Sequence, residues 1–289
     1  MKRKISLLTA LLLVVGFYSS TAFALDPMGP PTAELLQGQS RAGVDGSESR
    51  MDIELEHGTY SYTIGKVGQP PTTSTSGKVN RTKLKHLKMH KLYANLGYGV
   101  LNDWEMFLRL GGMNTEFSGN MFSNNTRETI REYNGDTGFA VGFGTKVTLY
   151  QHDRLKLGGL FQISRASSKA KYHSTATTNV DETVELDIIE MQIAIGPTYK
   201  LDENISIYGG PFWHFIDLHG SDSHGKRTEL WPEQQDISTD KTSYDVGDIS
   251  HFGGYVGTQI ELTKDNFYNI EYQHTRSADA LAMHLFWKF

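Results

Sequence analysis

The feature that most constrains this chain is a stretch, residues 137–150, in which large apolar and small side chains alternate strictly. In an extended strand, one face would carry Phe139, Val141, Phe143, Thr145, Val147 and Leu149. The opposite face would carry Gly138, Ala140, Gly142, Gly144, Lys146 and Thr148. A strand crosses a bilayer with about 9–11 residues, so this segment is long enough to span a membrane with one face towards lipid.

The same period of two recurs along the rest of the chain. Further segments with an apolar outward face are 92–98, 104–110, 155–165, 186–201, 205–218, 251–262, 268–274 and 280–289. The first strand changes phase between Leu55 and Tyr60, which predicts a bulge near His57 and Gly58. Pro211 cannot donate to a strand ladder, so a bulge or a local loss of pairing is expected there.

The connections between these segments alternate in length. Short connections rich in Asp and Asn, as tight turns prefer, occur at 101–103, 151–154, 202–204 and 263–266. Long polar connections occur at 65–84, 113–136, 166–183 and 219–247. Aromatic residues flank the short turns, as expected at a membrane interface: Tyr98, Trp104, Tyr150, Tyr199, Phe267, Tyr268, Trp287 and Phe289.

Together these patterns predict an all-β fold. We expect an antiparallel transmembrane β-barrel of about ten strands, with eight to twelve possible, short periplasmic turns and long outer loops. A soluble β-sandwich also alternates, but it does not account for aromatic residues beside every short turn or for apolar outward faces on every strand.

The N-terminus predicts export. Lys2, Arg3 and Lys4 precede a short apolar run, and Ala22-Phe23-Ala24 forms a small-residue cleavage site. Residues 1–24 are therefore expected to be a signal peptide, because the apolar run is too short for a spanning helix. We expect a periplasmic lead over 25–49, a barrel over 50–289, and a location in the cell outer membrane.

Charge and composition exclude some partners and chemistries. Residues 1–24 contain three of the 28 basic residues and no acid, so 25 basic residues face 33 acidic ones in the mature chain, a net charge of −8. That balance argues against nucleic acid as a partner. The chain has no cysteine, which excludes disulfides and thiol chemistry. The sequence carries no cofactor-binding motif.

The C-terminal residues carry a resemblance. Leu285-Phe286-Trp287-Lys288-Phe289 is similar to the terminal signal that the barrel-assembly machinery reads, so that machinery is an expected partner through Phe289. The mature span resembles small Gram-negative outer-membrane barrels of the OmpA/OmpW-like type. The block Tyr208-Gly209-Gly210-Pro211-Phe212 is similar to hairpins of that group. This resemblance implies an architecture and names no activity.

One polar cluster suggests hydrolysis. His214, Asp217, His219, Asp222 and His224 lie at the end of a strand and in the longest predicted loop. Omptin proteases are ten-stranded barrels that activate water with an Asp-His pair, and they also need a second acidic pair on an earlier loop. Residues 113–136 contain only scattered acids. The leading expectation is no catalytic residue and no metal site, and an omptin-like hydrolase is the alternative.

Two further sets of charges have predicted roles. Outer-membrane lipid and lipopolysaccharide are expected partners, because lipopolysaccharide phosphates could pair with the basic residues Arg81, Lys83, Lys85, Lys88 and Lys91. The alternative is an ordinary solvated strand end. Charges of both signs are predicted to face the lumen: Glu105, Arg109, Lys146, Lys156, Arg165, Glu190, Lys200, Glu261, Glu271 and Lys288. Since they should pair in so narrow a barrel, we expect a mostly filled lumen and a structural or interaction role, or a narrow small-solute pore.

Overall fold

A computed structural model describes the backbone of residues 25–66, 73–123, 126–174, 180–224, 227–228 and 236–289. Within these ranges, the side chains of 52–86, 117–133, 170–184 and 220–250 are not described. Every regular element in these ranges is a β-strand. No helix among them is long and apolar enough to cross a membrane. The strands are β1 (Ser40–Lys66), β2 (Thr73–Leu101), β3 (Trp104–Ser123), β4 (Thr126–Asn134), β5 (Gly138–His152), β6 (Leu155–Ser174), β7 (Val180–Lys200), β8 (Ile205–His224), β9 (Arg227–Thr228), β10 (Asp236–Thr263), β11 (Asn266–Thr275) and β12 (Ala278–Lys288).

Ten of these strands close into an antiparallel ring. Each pairs with the next along the chain, apart from the short β4 and β9, which pair β3 and β10 at the outer end. β12 pairs β1 from Met51↔Ala278 to Arg41↔Lys288, which closes the barrel. The β11–β12 hairpin is short, and beyond it β1 pairs β10 directly from His57 to Lys66. The predicted antiparallel ten-stranded barrel is confirmed.

The two faces of the wall follow the predicted alternation. In β5, Phe139 and Leu149 are 63% and 60% exposed, whereas Ala140 and Lys146 on the opposite face are buried. Exposed apolar side chains form a band around the ring, among them Leu92, Leu96, Leu110, Ile193, Ile195, Trp213, Phe252 and Val256. Such a band is unfavourable in water and is what a lipid-facing surface requires.

The strands extend well beyond this band. β2 contains 29 residues, about three times the ~9–11 that cross a bilayer. Much of 65–84, 113–136, 166–183 and 219–247, predicted as polar loops, is paired strand. The prediction of loops in these segments was wrong, because a strand outside the membrane has no lipid-facing side. Its sequence therefore loses the apolar period of two while its backbone stays paired.

The irregularities of the wall were only partly predicted. β1 begins at Ser40, so residues 40–49 of the expected lead belong to the barrel, and its bulge lies between Met51 and Ile53, not at His57 and Gly58. Pairing between β7 and β8 is interrupted from Ala194↔Phe212 to Thr198↔Tyr208. The local loss of pairing expected at Pro211 is thus confirmed.

Candidate functional site: the lumen and its N-terminal segment

The lumen is occupied by the chain's own N-terminal residues. Residues 25–35, which we call the plug, lie inside the barrel, with Leu25, Met28 and Leu35 at most 1% exposed. The plug does not join the sheet, because it contains three prolines, at 27, 30 and 31, and Gly29 has a positive φ of 68°. Proline has no amide hydrogen, so the plug brings few backbone donors into the lumen.

Two glutamates of the wall satisfy four of the eight remaining amides. The carboxylate of Glu271 on β11 accepts the N–H of Met28 at 2.6 Å and that of Gly29 at 2.7 Å. Oε2 of Glu105 on β3 accepts the N–H groups of Glu34 at 2.7 Å and Leu35 at 3.1 Å. Hydrogen bonds to a charged acceptor are the stronger kind, so these carboxylates hold the plug at two heights.

Wall donors bind the plug's carbonyl groups in turn. Nε2 of Gln273 donates to the carbonyl of Asp26 at 2.9 Å, and NH2 of Arg109 donates to that of Pro27 at 2.7 Å. Arg109 also donates to Asp45 at 2.6 Å, which keeps its guanidinium paired. Each of these contacts joins residues far apart in sequence, so the plug is bound by the assembled barrel and not by its own neighbours.

Ion pairs anchor the two acidic side chains of the plug. Nζ of Lys91 lies 2.9 Å from Asp26 and 2.5 Å from Glu190. Glu34 lies 3.0 Å from Arg41 and 3.6 Å from Lys146. All six side chains are at most 6% exposed. Buried charges are costly unless paired, so loss of one partner would strongly destabilise this arrangement.

Apolar contacts complete the closure. Leu25 and Met28 belong to a buried cluster with Leu160, Ala194, Tyr208, Phe212, Tyr255 and Ala280. On the extracellular side of the plug, a layer of inward side chains is at most 1% exposed: Met51, Leu87, Met89, Met113, Ile188, Ile216 and Leu218. The lumen is therefore filled by the plug at mid-height and by apolar side chains above it.

A cavity remains at the periplasmic end. It has a volume of about 300 Å³ and lies between Pro30–Glu34 and the wall. Lys156, Lys200, Glu261 and Lys288 line it, as their predicted inward direction implied. The mixed charges suit water and small ions more than an apolar ligand.

The other predicted lumen charges divide into two groups. Glu105, Arg109, Lys146, Glu190 and Glu271 are at most 2% exposed inside the barrel, as expected. Arg165 is 64% exposed on the outer face, where its guanidinium donates to Asp187 at 2.8 Å. Its placement in the lumen was wrong, because it shares a face with the lipid-facing Ile163 and not with Ser164.

The basic residues predicted to meet lipopolysaccharide do not share one face. Lys91 points into the lumen with Leu87, Met89 and Tyr93, because it has their parity on β2. Lys88 has the opposite parity and is half-buried on the outer face, opposite Arg50 in the register. Arg81, Lys83 and Lys85 lie on β2, but their side chains are outside the described residues.

The predicted His/Asp cluster is likewise divided by the wall. His214 faces the lumen, fully buried, with Nε2 3.5 Å from Oε2 of Glu190. Asp217 and His219 face outwards, with Oδ2 and Nε2 3.4 Å apart. Asp222 and His224 continue β8, with side chains outside the described residues. Among described side chains, no three His, Cys, Asp or Glu residues are grouped to bind a metal ion.

The plug itself was missed by sequence reasoning, which placed it in the periplasm. Two signals could have indicated it: the Pro-x-Gly-Pro-Pro sequence has few amide donors, and the inward acid Glu271 lies opposite Gly257 and Ala282 in the register, neither of which carries a charge. The expectation of a mostly filled lumen agrees with the structure, although much of the filling comes from the chain's N-terminus and not from the wall.

Comparison with protein-family models and with curated proteins found no match. Among solved structures, the fold is similar to the outer membrane protease OmpT from Escherichia coli, with 10% identity and a TM-score of 0.43, over 92% of this chain and 99% of that one. It is also similar to the outer membrane protein OprG from Pseudomonas aeruginosa, with 10% identity and a TM-score of 0.40, over 88% and 97%. The attachment invasion locus protein Ail of Yersinia pestis matches with 10% identity and a TM-score of 0.26, over 88% and 100%. These likenesses concern the fold alone.

Proposed function

We propose that this chain is an exported outer-membrane β-barrel that loses residues 1–24, whose lumen is kept closed by its own N-terminal segment. Its role is structural or interactive and is carried out at the outer surface, not by steady solute passage. The observation that carries the proposal is the plug, whose backbone and acidic side chains are bound by the wall at several heights. The strand extensions above the apolar band supply the surface for interaction.

Single-channel recording in planar bilayers tests this function. The native protein is expected to give no steady conductance steps, because the plug and the apolar layer above it fill the lumen. A variant lacking residues 25–35 should conduct more often, since only the side chains of the wall then remain. Large, steady steps from the native protein would contradict the proposal and favour an open pore.

Lipopolysaccharide is the proposed partner of the outer face. Arg50 and Lys88 are direct neighbours in the β1–β2 register and point outwards just above the apolar band. The guanidinium of Arg50 and the ammonium of Lys88 can both donate charge-assisted hydrogen bonds to phosphate oxygens. The double variant Arg50→Gln/Lys88→Gln should retain less lipopolysaccharide on purification. Lys264→Gln, in an exposed periplasmic turn, is the control.

A hydrolase remains the second candidate, favoured by the 3.4 Å approach of Asp217 and His219. Both lie on the outer face of β8, whereas His214 is in the lumen, so only part of the predicted cluster could act together. The test is cleavage of peptides by intact cells that produce the native chain or the His219→Ala variant. Cleavage that depends on His219 would establish this candidate, and the absence of such cleavage would remove it.

A further inference from the structure

A buried acidic position in the lumen has an incomplete set of partners. Oε1 of Glu190 binds Nζ of Lys91, but Oε2 has no hydrogen-bond partner among the described residues. Neither ring nitrogen of His214 has one, although Nε2 lies 3.5 Å from that oxygen. Glu190 is 2% exposed and His214 is fully buried. Buried polar groups are nearly always satisfied, so a donor is expected at this point.

The charge of the buried lumen indicates the sign of that donor. Six carboxylate side chains there are at most 6% exposed: Asp26, Glu34, Asp45, Glu105, Glu190 and Glu271. The cations buried with them are Arg41, Lys91, Arg109 and Lys146. His284 lies between Asp45 and Glu271, at 3.2 and 3.8 Å, and as an imidazolium it would supply a fifth positive charge. Six carboxylates thus face four permanent cations and two histidines, His284 and His214, so a further cation beside Glu190 would balance the charge without requiring both rings to be protonated.

The chain itself can supply a cation next to Asp26, which shares Lys91 with Glu190. Nζ of Lys91 binds both Asp26 and Glu190. Leu25 precedes Asp26 in the chain, so it is next to a residue that is linked to Glu190 through this one ammonium group. Leu25 is fully buried in a cluster that also contains Ala194 and Phe212, which lie on the strands that carry Glu190 and His214. Hydrolysis of the Ala24–Leu25 peptide bond by a signal peptidase consumes water, leaves a carboxylate on Ala24 and frees the α-amino group of Leu25.

The geometry points to a site formed by Glu190 and His214 that binds the α-ammonium group of Leu25 and so locks the plug in the lumen. Oε2 of Glu190 can accept one N–H of this group, and a ring nitrogen of His214 that carries no proton can accept another. Only a chain cleaved before Leu25 carries a free α-ammonium group at this position, so the lock forms only after cleavage.

This inference rests on the proposed export and cleavage, whereas lumen closure is measured separately by the bilayer recordings. The test uses the mature chain in denaturant, acetylated near pH 7. The α-amino group reacts selectively there, because its pKa is about 8 in unfolded peptides whereas that of lysine is about 10.4. Acetylated and unmodified chains are refolded in detergent, and urea unfolding is followed by tryptophan fluorescence.

Acetylation of the native sequence should raise the unfolding equilibrium constant about tenfold or more, because it leaves a buried carboxylate unpaired. The same modification should change it less than about twofold in Glu190→Gln, where that carboxylate is already absent. Glu185→Gln is the matched control, because Glu185 lies on the same strand but is 44% exposed and pairs with Lys169. It should respond to acetylation like the native sequence.

Three results would overturn the assignment: no effect of acetylation on the native sequence, an equal effect in Glu190→Gln, or a membrane-extracted chain that does not begin at Leu25 by N-terminal sequencing. If Glu190→Gln does not refold, Glu190→Asp replaces it in the test, because aspartate keeps the negative charge but moves the carboxylate away from the α-ammonium group by one methylene. The acetylation effect should then be smaller than in the native sequence, and an undiminished effect would count against the site.

Discussion

Replacement of Lys91 by methionine tests the anchoring of the plug most sharply. Lys91 pairs Asp26 of the plug at 2.9 Å with Glu190 of the wall at 2.5 Å, and all three side chains are at most 3% exposed. Methionine has a similar length and no charge, so it leaves two carboxylates buried without this partner. Removal of one member of a buried ion pair costs about 3–5 kcal/mol, and we expect a loss of that size in the free energy of unfolding.

The assay is urea unfolding of the refolded protein in detergent, followed by tryptophan fluorescence. Lys88→Met is the matched control: the residue lies on the same strand, is half-buried, and faces outwards. It should change the free energy of unfolding by about 0.5 kcal/mol or less. In the double variant Lys91→Met/Glu190→Gln, part of the loss should return, because one unpaired charge has been removed.

The reasoning would be refuted if Lys91→Met were as mild as Lys88→Met. Such a result would mean that Lys91 is solvated and that the plug does not reach Glu190. It would also revive the alternative that all five basic residues of β2 act at the outer surface.

Further variants test other parts of the account. Gly158→Ala should loosen the plug and lower the urea midpoint of unfolding, because a Cβ there would lie 2.6 Å from the carbonyl oxygen of Pro31. Gly159→Ala is the control, since a Cβ there meets no atom nearer than 3.7 Å. Equal midpoints for the two variants would contradict this packing. Glu271→Gln should lower the free energy of unfolding by about 1.5–3 kcal/mol, since two plug amides lose a charged acceptor, and an unchanged urea midpoint would argue against that role. Phe289→Ser should lower the amount of assembled barrel in cells, since Phe289 is the proposed recognition residue. Refolding in detergent should be unchanged, because the side chain is 75% exposed and the backbone hydrogen bonds to Ser40 remain. Normal assembly in cells would contradict the recognition role.

The barrel wall could be predicted from sequence where one face meets lipid. In residues 137–150 and 280–289, large apolar and small or polar side chains alternate, and the structure confirms both strands and their outward faces. Above the membrane neither face of a strand meets lipid, so nothing in the sequence of 166–174 distinguished a paired strand from a loop. The start of β1 was missed for a different reason: Ala42 and Val44 are flanked by glycine and polar residues, so the apolar alternation there is weak.

The site was less predictable because it depends on contacts between distant residues. Parity along β2 would have separated Lys91 from Lys88, since Leu92 marks the lipid face, but grouping the basic residues by sequence proximity obscured it. His214 and Asp217 were likewise grouped by proximity, although three residues along a strand place them on opposite faces. The plug has no periodicity of its own, and its partners come from distant strands.

A cysteine pair tests most directly whether the N-terminal segment occupies the lumen. The hydroxyl oxygens of Thr32 in the plug and Thr198 on β7 are 3.0 Å apart, both side chains are buried, and the chain contains no other cysteine to interfere. In Thr32→Cys/Thr198→Cys, mild oxidation should yield one disulfide detectable by mass spectrometry, whereas Thr32→Cys/Thr145→Cys, with Thr145 on the outward face, should yield none. Free thiols in the first pair that react with a membrane-impermeant maleimide would show that the segment lies outside the barrel.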